Sequence, residues 1–276
     1  ADPTPVTFTE APAIGVAKLL VAEPVNNSDG TYSLSYQLSV ENIGDIALSN
    51  VQIVEDLTST FPAPATFVVN SLTANNLTVN SDFNGASDSN IFAASQNLAL
   101  GASDTLTLTL TVTPGANLGP YNNTAVASGQ SPSGSDVTDE SDNGSNTSGD
   151  NGSGTEADPT PVTFTEAPAI GVAKTVSGEI APTINGSPGN FDVPFALVMQ
   201  NIGDVPLTNI QLVDDLAAQF GDAYVGVSEA AEITASTATE TPELGVDFPV
   251  NIFNGTSGLL MPGQTIDISF TLELAP

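Results

Sequence analysis

Apolar and polar side chains alternate with a period of two along most of this chain. Residues 106–112 (LTLTLTV) put Leu106, Leu108, Leu110 and Val112 on one side and threonines on the other. Residues 266–274 (IDISFTLEL) do the same with Ile266, Ile268, Phe270, Leu272 and Leu274. Over 32–40, Tyr32, Leu34, Tyr36, Leu38 and Val40 alternate with polar residues, and 191–199 (FDVPFALVM) forms their counterpart. Such alternation predicts strands with one buried and one wetted face. Gly, Pro, Asn and Asp punctuate the gaps, as turns require. No segment of any length carries a helical period, and only 230–240 (AAEITASTATE) is ambiguous. The expected fold class is all-β, built as antiparallel β-sandwiches of Greek-key type.

The pattern occurs twice. Residues 1–18 (ADPTPVTFTEAPAIGVAK) return unchanged at 157–174. Residues 41–57 (ENIGDIALSNVQIVEDL) match 200–216 (QNIGDVPLTNIQLVDDL), and 100–114 match 262–276. The first copy continues into 121–129 (YNNTAVASG), for which the second copy has no counterpart up to Pro276. The expected organisation is an extended arm at 1–12, a first sandwich at 13–138, a linker with the repeated arm at 139–168, and a second sandwich at 169–276 lacking its final strand. The abrupt start and stop inside a repeating pattern are expected of a piece of something longer.

The motifs IGVAK, ENIGD, VQIVEDL and YNNTAVASG resemble those of prokaryotic cell-surface repeat domains. These are immunoglobulin-like modules strung in tandem in large secreted proteins. The resemblance implies two Ig-like domains, an extracellular or cell-surface location, and a role in a stalk, filament or adhesin rather than a reaction.

Lys18 and Lys174 are the only basic side chains in the molecule. In the first strand of copy one, Ile14, Val16 and Leu20 share parity with Lys18; in copy two, Ile170, Val172 and Val176 share parity with Lys174. If the bulky face points inward, both lysines start from the core side. A buried ammonium costs several kcal/mol unless it is paired or loses its charge. One reading is a salt bridge, or a lysine whose stem packs while its head reaches water. The other is a covalent crosslink, in which a desolvated, neutral amine attacks an asparagine carboxamide beside a buried acid and expels ammonia. Gram-positive pilin and adhesin sandwiches that this sequence resembles use that chemistry. The candidate acids are Asp56 and Asp215, which repeat between copies. The candidate amides are Asn122 and Asn123, and Lys174 has no corresponding amide in this chain.

Residues 139–161 hold almost no apolar side chain and are expected to form a flexible linker. Alternatively, Asp139, Asp142, Asn143, Asn146, Asp150, Asn151, Glu156 and Asp158 offer oxygen ligands at the close spacing that suits calcium. The arm carries Val6 and Phe8 between prolines, a pattern for strand addition onto a sheet edge of another copy, or for packing within its own chain. Head-to-tail addition of that kind makes fibres.

The formal net charge of -30 repels nucleic acid and anionic lipid, and no apolar run is long enough to insert in a bilayer. The expected partners are copies of the chain itself or neighbouring modules. His and Cys are absent, which removes Ser-His and Cys-His dyads and ordinary zinc sites, so no enzyme is expected. An adhesive module for glycan, ice or another surface is the alternative. There is no Trp for sugar stacking, and the array Thr105, Thr107, Thr109, Thr111 also follows from β-propensity alone.

Overall fold

A computed structural model describes residues 3–148, 158–184, 186–245, 248 and 250–276 of the chain. Its contacts divide the chain into two compact units, Ala1–Asn27 with Thr31–Thr165, and Glu166–Pro276 with Ser28–Gly30. Both are built almost wholly from antiparallel strands, and the first is an Ig-like β-sandwich.

Unit 1 runs through β1 (Ile14–Leu20), β2 (Val25–Asn26), β3 (Tyr32–Asn42), β4 (Leu48–Glu55), a one-turn helix α1 (Leu57–Thr60), β5 (Thr66–Ala74) and β6 (Gln96–Leu98). It continues with β7 (Ser103–Thr113), β8 (Tyr121–Asn123), β9 (Ala125–Gln130), β10 (Asp136–Glu140), β11 (Asp142–Asn143) and β12 (Thr160–Val162). One sheet has the order β11-β1-β3-β7-β5, with β2 on the side of β3; the other has the order β10-β9-β4-β6. The period of two is realised residue by residue. In β3 and β7 alternate side chains are buried, and Tyr36, Leu38, Leu108 and Leu110 meet Ile53, Leu57 and Phe92 in one core.

Unit 2 repeats this plan in β13 (Ile170–Val176), β14 (Ala181–Pro182), β15 (Phe191–Asn201), β16 (Leu207–Thr208), β17 (Gln211–Val213) and α2 (Leu216–Phe220). After a 3-10 turn come β18 (Tyr224–Ser236), β19 (Asn251–Asn254), β20 (Leu259–Leu260) and β21 (Thr265–Leu274). The ambiguous 230–240 stretch is therefore mostly strand. The main sheet has the order β13-β15-β21-β18. Among the described residues nothing occupies the places that β8 to β12 take in unit 1.

The N-I-G-D motif explains itself as a staple. Asn42 Nδ2 donates to the carbonyls of Ile46 and Leu98, and its Oδ1 accepts from Gly44 N. Asp45 Oδ1 accepts from Ala11 N at 2.7 Å, which ties the arm to the loop. Asn201, Gly203 and Asp204 repeat every one of these bonds, the last to Ala167 N. A Cβ on Gly44 would stand 2.4 Å from Ala13 N, so the position admits only glycine.

The boundaries differ from those expected from composition. The described residues of the expected linker, 139–148 and 158–165, are not free. β10 reaches Glu140, β11 pairs in parallel with β1, and Thr147 Oγ1 donates to Glu41 at 2.6 Å. β12 pairs with β8, and Val162 and Phe164 are sunk in the core of unit 1. A polar segment needs no core of its own when its backbone completes a neighbouring edge.

Candidate functional site: a buried lysine centre

Lys18 sits in mid-strand on β1, opposite Leu38 of β3, with Ile14 and Val16 on the same inward face. The opposite face of β1 is closed as well, because Thr147 O lies where a Cβ on Gly15 would go. The ammonium therefore has no route to water, and Lys18 is fully buried. Its Nζ lies 2.5 Å from Glu55 Oε2 and 2.7 Å from Asn123 Oδ1, with both partners equally buried. Nζ also stands 5.7 Å from the centre of the Tyr36 ring.

Three elements bring these groups together. Glu55 ends β4, where it shares the parity of the buried Val51 and Ile53. Asn123 ends β8, whose alternation turns Tyr121 and Asn123 inward and Asn122 outward. Thr60 closes α1 and donates from Oγ1 to Asn123 Oδ1 at 3.0 Å. The arm seals the site: Thr160 pairs with Asn123, and its Oγ1 donates to the Lys18 carbonyl at 2.8 Å.

Burial pushes the Lys18 amine well below its ordinary value, against the opposing pull of Glu55. Burial likewise pushes the Tyr36 phenol upward. Glu55 Oε1 is buried without a hydrogen-bond partner, and the group within reach of the Asn123 amide is the equally buried Tyr36 phenol, with no hydrogen bond of good geometry between them. An unsatisfied buried amide N–H costs about 1–3 kcal/mol, so a folded core seldom retains one.

Of the residues singled out in the sequence, Lys18 and Asn123 lie in this centre. Asn122 and Asp56 do not. Asp56 is exposed and caps α1, accepting from Ser59 N at 3.1 Å and Ser59 Oγ at 2.7 Å, and those bonds lower its carboxyl. Asp215 caps α2 in the same way through Ala218 N. The acids beside the lysines are the preceding residues, Glu55 and Asp214. Alternation along VQIVE, with Val51 and Ile53 inward, was the signal that placed Glu55 inside; letter identity between the copies favoured the cap instead.

In unit 2, Lys174 Nζ lies 2.6 Å from Asp214 Oδ2, and 4.9 Å from the centre of the Phe195 ring. Gln219, in the place of Thr60, donates to Asp214 Oδ1 at 2.6 Å. The Lys174 side chain remains 27% exposed, whereas that of Lys18 has no exposure.

The candidate calcium ligands that lie among the described residues occupy separate places. Asp139 is buried in β10, where its Oδ2 accepts from Val16 N at 2.7 Å. Asp142 and Asn143 form β11, Asn146 holds a turn at Ser148, and Asp158 is exposed. Asp150, Asn151 and Glu156 lie outside the described residues. Among the described residues no three Asp, Glu, His or Cys side chains are placed to hold a metal ion.

The two copies of the arm have different surroundings. Val6 and Phe8 are 73% and 90% exposed, while Val162 and Phe164 are buried. The Phe164 ring lies 4.9 Å from Tyr32 and 5.9 Å from Tyr121, and its N–H donates to Leu118 O.

No family model matches the chain, and no curated protein matches it in sequence. Solved structures give distant likenesses. The major pilin subunit BcpA of Bacillus cereus aligns with a TM-score of 0.34 at 10% identity, over 74% of this chain and 61% of the pilin. The full-length major pilin SpaD of Corynebacterium diphtheriae aligns at 0.28 and 11%, over 69% of this chain and 47% of that one. The chain thus spans about three-fifths of the first pilin and under half of the second. A likeness of this size says nothing of what the chain does. No helix among the described residues is long and apolar enough to cross a membrane.

Proposed function

We propose that this chain is a structural, load-bearing part of an extracellular filament or adhesin stalk, and that unit 1 locks itself with an amide bond between Lys18 and Asn123. The observation that carries this is the fully buried contact of Lys18 Nζ with Glu55 at 2.5 Å and Asn123 at 2.7 Å. Glu55 takes the lysine proton and leaves a neutral amine. The Thr60 hydroxyl polarises the carboxamide oxygen. Nζ attacks Asn123 Cγ, Glu55 passes its proton to Nδ2 and takes the second proton from Nζ, the Cγ–Nδ2 bond breaks, and ammonia leaves. Nδ2, which makes no hydrogen bond of good geometry, is the atom this step removes. In a chain without cysteine, such a bond takes the place of a disulfide.

Assembly in this reading is head-to-tail. The arm at 1–12 has the sequence of the arm that completes β8 of unit 1, so it is suited to the same kind of seat on a preceding module. Such contacts are heterologous and propagate into fibres.

Intact mass of the native chain tests the bond. The expected mass is that of the sequence less one ammonia, with a Lys18–Asn123 linked fragment after proteolysis and the full mass restored in Lys18→Arg. An unreduced mass in the wild type overturns it.

A further inference from the structure

The centre of unit 1 holds three polar groups that no hydrogen bond of good geometry uses: the Tyr36 hydroxyl, Glu55 Oε1 and Asn123 Nδ2. All three side chains are fully buried. They are complementary in kind. A carboxylate oxygen accepts, an amide nitrogen donates, and a phenol does both. Tyr36 lies on β3 two residues from Leu38, the partner of Lys18, and turns to the same inward face. Its ring centre stands 5.7 Å from Nζ, and its hydroxyl is within reach of the Asn123 amide. The ring alone would serve packing. In unit 2 the corresponding place, two residues from Leu197, holds Phe195, which is buried with its ring centre 4.9 Å from Lys174 Nζ. A buried hydroxyl without a partner costs stability, so packing favours phenylalanine at residue 36 as well.

We infer that Tyr36 is the catalytic acid of the Lys18–Asn123 reaction and carries the proton from Glu55 to the departing nitrogen, a role that rests on the amide bond proposed for unit 1. Glu55 meets Nζ through Oε2, and Lys18 and Thr60 both engage Asn123 at Oδ1. The nitrogen that must leave is the other end of the carboxamide, within reach of the phenol. The phenol oxygen also holds the amide the right way round, since a flipped carboxamide would turn its N–H groups toward the ammonium and the Thr60 hydroxyl. Once Nζ has bonded to Cγ, the Tyr36 O–H gives its proton to Nδ2 and takes the one that Glu55 received from the lysine. Glu55 then removes the second proton from Nζ, the Cγ–Nδ2 bond breaks, and ammonia leaves. The phenol ends as it began, and the centre ends without charge. Burial raises the phenol above its ordinary value, which keeps its proton in place until the nitrogen takes it.

Cell-free translation of the full chain, sampled at intervals for intact mass, follows the reaction from its start. A positioned acid contributes about 10²–10⁴-fold, so Tyr36→Phe should lose ammonia at least about tenfold more slowly than the wild type. A purely structural role is read in the Glu55→Gln background, where no bond is expected to form. Adding Tyr36→Phe there should leave the melting temperature unchanged or raise it, because the variant keeps the ring and removes a buried hydroxyl. A rate of ammonia loss in Tyr36→Phe closer to the wild type than about tenfold overturns the inference, and so does a lower melting temperature of the double variant. Ammonia loss from neither chain refutes the reading of unit 1 itself; loss from the wild type that Tyr36→Phe matches refutes only the assignment of Tyr36.

Discussion

Replacing Lys18 with Met and Glu55 with Leu together should lower the stability of unit 1, and the sign of that change is diagnostic. If the native centre is a buried ion pair, exchanging it for apolar side chains of similar volume is neutral or stabilises by about 1–4 kcal/mol, because the desolvation of two charges is relieved. If the native centre is an amide, the exchange opens a covalent loop whose ends are 105 residues apart. Closing a loop of about 100 residues removes unfolded-state freedom worth about 4.7 kcal/mol in the chain-entropy account. In a domain of this size each kcal/mol moves the melting temperature by about 2–4 °C, so the double variant should melt about 10–20 °C lower. Scanning calorimetry on wild type and variant, with β-type circular dichroism as the check on folding, reads the difference. A melting temperature that is unchanged or higher in the variant refutes the reasoning.

Phe164→Ala should destabilise unit 1 by about 3–5 kcal/mol in urea unfolding, because it empties an aromatic cluster; Phe8→Ala, its exposed repeat, should leave the midpoint of the isolated chain unmoved. Asp56→Asn should retain the ammonia-loss mass, whereas Glu55→Gln should abolish it. The Asp56 carboxyl is lowered by its bonds to Ser59, so its contribution is complete above the ordinary carboxylate range and is lost as pH falls through the lowered value. Asp56→Asn should therefore flatten the acid limb of a stability–pH curve. Gly44→Ala should lower the unfolding free energy of unit 1 by roughly 1–3 kcal/mol in urea titration, since the new Cβ meets backbone rather than a movable side chain.

Much of the architecture was legible because strands with one wet face write their parity into the sequence. Leu106 to Val112 and Ile266 to Leu274 lie as alternation requires, and the same rule puts Lys18 inside. Asn123 was legible as one of two neighbours, and parity on β8 separates it from Asn122. The acid was misplaced by one residue for a physical reason. A helix cap demands a short acceptor in fixed geometry, so Asp56 and Asp215 repeat letter for letter. The position facing the lysine needs only a carboxylate within reach, and it varies between Glu55 and Asp214. The supposed linker was read from its lack of apolar residues, but β11 is held by backbone pairing with β1, which leaves little trace in hydropathy. The burial of Phe164 beside the exposure of Phe8 could not be seen at all, because identical letters occupy both places.

The positions of Lys18 near the start of unit 1 and Asn123 near its end have a consequence under pulling. With the amide in place, a force applied at the two ends of the chain travels from the first strand directly into β8, and the stretch from Leu19 to Asn122 is left slack. Fully drawn out at about 3.4 Å per residue, that stretch would add about 350 Å of contour. A rod made of such units would break before it lengthened by that amount, so a single covalent stitch would turn an extensible string of domains into a tether of nearly constant reach.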